Sequence, residues 1–251
     1  MTSATTGQTW GVRPEDGRQL RQGSGVRQVS VQEGYRLWAA TYDHDPNPLL
    51  ALEERALEPL LPNLQGKDLL DVGCGTGRWL RPLMSRGVRS AVGMDLSAEM
   101  AACAAANPLL RGRLALADCL LLPLPPRVAD VVICSFTAGH VADLGALARE
   151  LARVARRGAD LFLTDLHPGA RMRGWRSAFS HPSGTVEVLG FVHTRRDTES
   201  HFTSEGFRLA ASSDLCFSEP ERPVFARAGR SGIFEAACRT PAVALYHFTR
   251  S

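Results

Sequence analysis

Lysine is almost missing from this chain. Lys67 is the only one, and arginine supplies the rest of the 29 basic residues. The cations are scattered, the net charge is only +3, and no basic stripe is interleaved with aromatic residues. A nucleic-acid partner is therefore not expected. No run reaches the roughly 18 apolar residues that a membrane span needs. Met1 to Arg13 lacks the apolar core of a secretory signal, so a cytoplasmic location is the expectation. None of the six cysteines, Cys74, Cys103, Cys119, Cys134, Cys216 and Cys238, forms a CxxC pair. They read as small buried hydrophobes rather than as a metal site or a disulfide framework. No internal repeat occurs.

What is present fits one domain with a full hydrophobic core: 251 residues, 44% hydrophobic and 22% charged. Residues 1–28 are rich in Gly, Gln, Arg, Ser and Thr and are expected to form a mobile tail ahead of a domain at 29–251. Tyr35, Leu37, Trp38 and Tyr42 give an aromatic helical stretch. Residues 49–61 then have helical spacing with Glu53, Glu54 and Arg55 outward, and Pro62 ends the run. Together 29–62 read as a helical lid.

Alternation follows. Strands are expected near 68–72, 90–95, 113–117, 128–134 and 161–164. The helices between them include 78–86, one capped by Ser97, and 141–157 with Gly158 as its C-cap. Strands apolar on both faces and separated by helices imply an α/β, Rossmann-like three-layer sandwich with a parallel sheet. Ligands in such sheets bind beyond the carboxyl ends of the strands. After Thr164 the pattern breaks, and 166–200 read as an insertion on the substrate side. A helix near 197–205 and strands near 207–217 and 242–249 complete the chain.

The strand Leu69-Leu70-Asp71-Val72 runs into Gly73-Cys74-Gly75-Thr76-Gly77. Glycine at every second position permits tight turning and close backbone approach. The loop's amides and the following helix start would favour a polar or anionic group. The third glycine comes one residue too early for the dinucleotide pattern G-x-G-x-x-G, with Arg78 in that place. Asp71 lies inside the strand, where a carboxylate can meet an ammonium group. Asp95 ends the second strand and can accept both hydroxyls of a ribose. Asp118 and Cys119 end the third, where a carboxylate and an amide could read an adenine edge. Adenine, a free ribose and an amino-acid tail occur together in S-adenosylmethionine.

At these residues the chain resembles the class I S-adenosylmethionine-dependent methyltransferases, in particular the small-molecule, type 11/25-like branch. The resemblance covers about 35–166; residues 167–240 match loosely. Leu69 to Gly77 resembles the family's first motif and Val92 to Met100 its ribose motif, which adds Leu96 and Met100 to the cofactor set. Asp118 to Pro125 with Ala129 to Val132 resembles the adenine motif and fourth strand. Tyr35, Trp38, Tyr42 and Asp43 resemble the lid helix over the cofactor, with a plain core-packing stripe as the other explanation. The resemblance implies a seven-stranded, mostly parallel sheet with an antiparallel last strand. It places Ser135 and Phe136 beside the methionine part and the methyl group.

Methyl transfer from a sulfonium is an in-line displacement, and a hydroxyl acceptor is helped by a base near neutral pKa. His140, after the fourth strand, and His167, after the fifth, are the candidate bases. Tyr35, Trp38, Trp175, Phe179 and His193 are candidate substrate contacts, with His181 and His201 as further histidines. Trp175 and Phe179 could equally form the insertion's own core. The chain lacks Asn/Asp-Pro-Pro-aromatic and Pro-Cys after the fourth strand, so amino groups of nucleic acids and pyrimidine carbon are not the expected acceptors. The expected function is methyl transfer to a small molecule, with oxygen ahead of nitrogen and carbon. The alternatives are a non-catalytic S-adenosylmethionine-binding protein and a nicotinamide-dependent oxidoreductase. The oligomeric state is left open.

Overall fold

A computed structural model describes residues 26–251. The expected tail lies outside the described residues over 1–25. Its last positions are instead ordered in strand β1, Val26–Val29. In chain order there follow α1 (Val31–Trp38), α2 (Pro48–Leu57), β2 (Asp68–Val72), α3 (Leu80–Met84), β3 (Ser90–Asp95), α4 (Ala98–Ala105), β4 (Leu114–Leu116) and β5 (Ala129–Ser135). Next come α5 (Leu144–Val154), β6 (Ala155–Leu166), α6 (Pro168–Met172), β7 (Ser177–His181), β8 (Gly184–Val188) and α7 (Arg195–Ser204). The chain ends with β9 (Phe207–Leu215), α8 (Arg222–Arg227), α9 (Phe234–Ala237) and β10 (Val243–Arg250).

Seven strands form the main sheet in the order β4-β3-β2-β5-β6-β10-β9. β2 through β6 run parallel, and β10 is antiparallel to both of its neighbours. Successive residues of a strand face opposite sides of a sheet, and both sides are buried here. Leu70, Val132, Leu161 and Leu163 pack with Leu147 and Leu151 of α5 and Phe202 of α7. Leu69, Val131, Ile133 and Phe162 pack with Leu57, Leu80 and Leu83 on the other side. These are the three layers expected from the unbroken apolar strands. Among the described residues no helix is long and apolar enough to cross a membrane.

Three expectations about local structure change. Gly158 is not a helix cap: α5 ends at Val154, the chain runs straight into β6, and Gly158 takes a φ of 78° within that strand. The helix expected from Arg78 begins only at Leu80, because the glycine loop keeps turning through Trp79. Glu53 is fully buried rather than outward, because donors from three other segments converge on it.

The insertion is a small layer of its own. β7 and β8 form an antiparallel hairpin, and β1 joins β8 in parallel. Phe179, Val186 and Val188 of this sheet bury against Val29 and Trp38 of the lid. The insertion therefore stops before α7. That helix belongs to the main domain, where Phe202 stacks on Phe248 at 5.0 Å.

Candidate functional site

The ends of β2, β3 and β5, with the turn after β4, open onto one cavity of about 420 Å³ beneath α1. Its walls include Tyr35, Tyr42, Gly73, Gly75, Asp95, Leu96, Met100, Asp118, Cys119, Ser135, Phe136 and His140. All of these were singled out from the sequence. A smaller recess of about 30 Å³ adjoins it, sharing Tyr42, Gly73, Gly75 and Ser135 and reaching Asp71 and Cys74.

The glycines act differently from one another. Gly73, Gly75 and Gly77 all take positive φ, at 71°, 54° and 79°, which glycine adopts without steric cost. A Cβ on Gly73 would sit 2.0 Å from Thr137 Oγ1, whereas one on Gly75 would meet nothing within 4 Å. Gly73 thus permits packing against the segment after β5, and Gly75 leaves bare backbone towards open space. Gly77 does not line the cavity; its missing side chain makes room for Leu110 Cδ1, 2.4 Å from a built Cβ. The amides of Gly73 and Cys74 both donate to Met94 O, at 2.7 and 3.0 Å. The Gly75 amide donates to Asp95 Oδ2 at 2.7 Å. These amides are spent inside the fold, so the loop offers a ligand close approach rather than the free donors expected of it. The Cys74 side chain turns inward to pack with Leu80 and Ala91.

Asp95 also accepts the Ser97 amide at 2.8 Å. Burial raises its carboxyl pKa, against the pull of these amide bonds. Ser97 caps α4 as expected, accepting from the Met100 amide at 3.2 Å. Asp118 accepts the Leu120 amide at 2.9 Å and so shapes the turn that brings Cys119 and Leu120 to the wall. Phe136 holds a φ of 50°, rare for a bulky side chain. Its amide donates to Thr164 O at 2.9 Å, fixing the chain as it leaves β5.

Asp71 carries the main electrostatic feature. Both carboxylate oxygens are buried and have no partner among the protein atoms. Burial raises its pKa to about 7; the Asp95 and Glu53 carboxylates add to the shift and the Arg78 guanidinium opposes it. A buried carboxylate without donors is costly unless a ligand supplies them. An ammonium group at this place would do so. Beside it lies a polar cluster that the sequence did not reveal. Glu53 of α2 accepts from Ser135 Oγ at 2.7 Å, Thr164 Oγ1 at 2.6 Å and Trp79 Nε1 at 3.4 Å, and it pairs with Arg78. A carboxylate on a helix gives no sign of burial when all four of its partners are distant in sequence.

The two candidate bases separate. His140 lines the cavity; Tyr35 OH lies 2.9 Å from its Nε2, and Leu189 O lies 3.3 Å from its Nδ1. Burial lowers its pKa, with the nearby Asp165 opposing. His167 does not reach the cavity. Its Nδ1 caps α6 by accepting the Gly169 amide at 3.0 Å, and its Nε2 lies 3.2 Å from Asp214 of β9. The proline after it starts that short helix, and the cap turns the ring away from the cavity.

Of the expected substrate contacts, Tyr35 is on the wall. Trp38 and Phe179 stack on each other at 4.7 Å within the cap's core. Trp175 packs with Phe217, 6.1 Å away, in a separate cluster. Phe179 thus packs within the insertion's own layer, with Val186 and Val188, whereas Trp175 joins Leu49, Phe225 and Val243 of the main domain. His193 does not line the cavity but contacts Val141 O at 2.8 Å, and His181 is engaged with Ser183. Among the described residues no group of three or more His, Cys, Asp or Glu side chains is placed to hold a metal ion. Val31, Val141, Asp143 and Phe191 also stand on the wall and were not expected there. Nothing in their type or spacing marks them; they arrive there by way of the segment after β5 and the cap.

Residues 70–163 match the family described as a methyltransferase domain. The chain is 31% identical to a malonyl-[acyl-carrier protein] O-methyltransferase of Serratia marcescens, over 66% of this chain and 64% of that one. An S-adenosylmethionine-dependent methyltransferase from Mesorhizobium loti matches in structure with a TM-score of 0.64 and 22% identity, covering 81% of this chain and 100% of the other. The [4+2]-cyclase SpnF matches at 0.60 and 18% identity, covering 90% and 99%. The fold is thus that of the class I methyltransferases. Within it, residues 70–163 carry the methyltransferase domain. The chain spans less than two thirds of the length of the curated relatives it matches first.

Proposed function

We propose that this protein transfers a methyl group from S-adenosylmethionine to the hydroxyl of a small, largely apolar molecule. The observation that carries this reading is the buried Asp71 carboxylate with two unpartnered oxygens, in a recess continuous with a cavity that also holds His140. The residues present fit the cofactor. Asp71 would take its ammonium group, Asp95 its ribose hydroxyls, and the turn at Asp118 to Leu120 its adenine, with Met100 and Leu96 against the ring. When bound, the cofactor supplies an electrophilic methyl on a sulfonium.

The protein's part is alignment and exclusion of water. Tyr35 and Tyr42 close the cavity from the lid side, and Phe136 holds the segment after β5 in place. The relatives whose names specify an acceptor include O-methyltransferases acting on a malonyl carrier protein and in ubiquinone biosynthesis. They favour oxygen as the acceptor atom here. His140, bonded to Tyr35 on the wall, is the base suited to take up the proton that the reaction releases. Calorimetric titration with S-adenosylmethionine, followed by assay of S-adenosylhomocysteine release with candidate hydroxyl compounds, tests the reading. Binding of NADH without S-adenosylmethionine would overturn it.

A further inference from the structure

The contacts of His140 fix its tautomer. Leu189 O is a carbonyl and can only accept, so Nδ1 carries the hydrogen. Nε2 is then bare and accepts from the Tyr35 hydroxyl at 2.9 Å. The imidazole therefore does not present its basic nitrogen to the cavity; the Tyr35 oxygen covers it. Both side chains line the cavity wall. The Tyr35 ring also stands edge-on to the imidazole, with centroids 5.3 Å apart, so the pair is held by packing as well as by the hydrogen bond.

We propose that Tyr35 and His140 form a proton relay in which the Tyr35 oxygen touches the acceptor, and that the relay selects acceptors with an acidic hydroxyl of the phenol or enol kind. This rests on the methyltransferase reading above. As the acceptor oxygen bonds to the methyl carbon, the carbon–sulfur bond breaks and its electron pair stays on sulfur. The acceptor's proton passes to the Tyr35 oxygen, and the Tyr35 proton passes to His140 Nε2. The products are the methyl ether, neutral S-adenosylhomocysteine and an imidazolium. Tyr35 ends as it began. His140 then returns its proton to solvent.

The surroundings suit this sequence. The groups that face the pair are Asp165, Arg171, Tyr42 and Asp95. Asp165 holds the Gly139 amide and lies 3.4 Å from Arg171; its charge favours the imidazolium and that of Arg171 opposes it. Burial keeps the Tyr35 phenol well above its ordinary pKa of 10.0, so it stays protonated and ready to donate to His140. Burial also makes His140 a weaker base than an ordinary histidine. A weak base is mismatched to an aliphatic alcohol and better matched to a phenol or enol. Val31, Phe136, Val141 and Phe191 give the cavity apolar walls that suit a planar ring.

The test uses 2-naphthol and 2-naphthylmethanol as probes, the same ring with an acidic and an aliphatic hydroxyl. The wild-type protein is expected to methylate the first and not the second. Tyr35→Phe and His140→Gln are each expected to lower kcat by about 100-fold, within the usual range for positioned proton transfer, with unchanged affinity for S-adenosylmethionine. The wild-type kcat should fall on the acid side as His140 protonates, and Tyr35→Phe should lose that limb. Wild-type turnover in Tyr35→Phe would overturn the relay. Equal methylation of the two probes, or of neither, would overturn the selection. Nitrogen chemical shifts of His140 give a reading without substrate: a protonated Nε2 in the free protein contradicts the relay. If the methyltransferase reading itself is wrong, S-adenosylmethionine fails to bind in calorimetry, a different result from any of these.

Discussion

The strand-end loops after β2, β3 and β5 and the cap built from β1, α1, β7 and β8 meet across the same cavity, yet they are built on different principles. The loops are fixed by backbone: positive φ at Gly73, Gly75 and Phe136, and amides spent on Met94 O and on the Asp95 carboxylate. The cap is fixed by side chains, with Trp38 stacked on Phe179 and Tyr35 bonded to His140. Gly73 has no room for a Cβ beside Thr137, whereas the contacts of the cap run between side chains.

The largest effect should come from the polar cluster that ties α2 to the strand-end loops. Glu53→Ala leaves Arg78, Ser135, Thr164 and Trp79 without their shared acceptor. Breaking a buried ion pair from one side costs about 3–5 kcal/mol, so denaturant unfolding should show a loss of that size. A loss below about 1 kcal/mol would mean that the cluster does not tie the lid to the sheet. Gly73→Ala comes next. Its Cβ would collide with Thr137 at a φ of 71°, for an expected cost of about 2–4 kcal/mol. Gly75→Ala has open space and should keep the fold while weakening the cofactor. Equal destabilisation by the two would break the distinction between a packing glycine and a contact glycine.

Asp95→Ala should weaken S-adenosylmethionine binding by about 1–3 kcal/mol through lost charge-assisted hydrogen bonds. Unchanged calorimetric affinity would remove the ribose assignment. Asp71 gives a pH dependence. Its folded pKa of about 7 lies above the ordinary 3.8, so the free protein keeps the proton up to about neutrality. An ammonium ligand needs the carboxylate, so binding must release that proton. Affinity should therefore fall as pH drops below about 7, approaching tenfold per pH unit. By the same linkage the contribution of Asp71 to the stability of the free protein is fully present below its unfolded pKa and is lost as pH rises through about 7. Asp71→Asn should flatten both profiles.

The smallest effect is expected at His167, which caps a short helix outside the cavity. His167→Ala should cost about 0.5–2 kcal/mol of stability and leave turnover within a few-fold of wild type. A 100-fold loss of turnover would return it to the site and break the assignment to His140.

The same contrast explains what the sequence made legible. Asp71, Gly73, Gly75, Asp95, Asp118 and Ser135 sit at strand ends, where position along the chain determines position in space. A reader of the sequence can place them without knowing any long-range contact. Glu53 and Phe191 reach the site or its support through pairings between distant segments, and residue type says nothing of those. His140 and His167 show the limit of the strand-end rule. Both follow a strand, but the next few residues decide direction: a single turn holds His140 under Tyr35, whereas Pro168 starts a helix that His167 caps. Trp175 and Phe179 were ambiguous for a related reason, since an insertion of that size needs aromatic residues for its own core before it can spare any for a substrate.

The most direct test of the account is a calorimetric titration of the full chain with S-adenosylmethionine at two pH values on either side of 7, repeated with Asp71→Asn. Saturable binding is expected, tighter at the higher pH, with that difference lost in the variant. No binding of S-adenosylmethionine by the folded wild-type protein, or equal affinity at the two pH values, would contradict it.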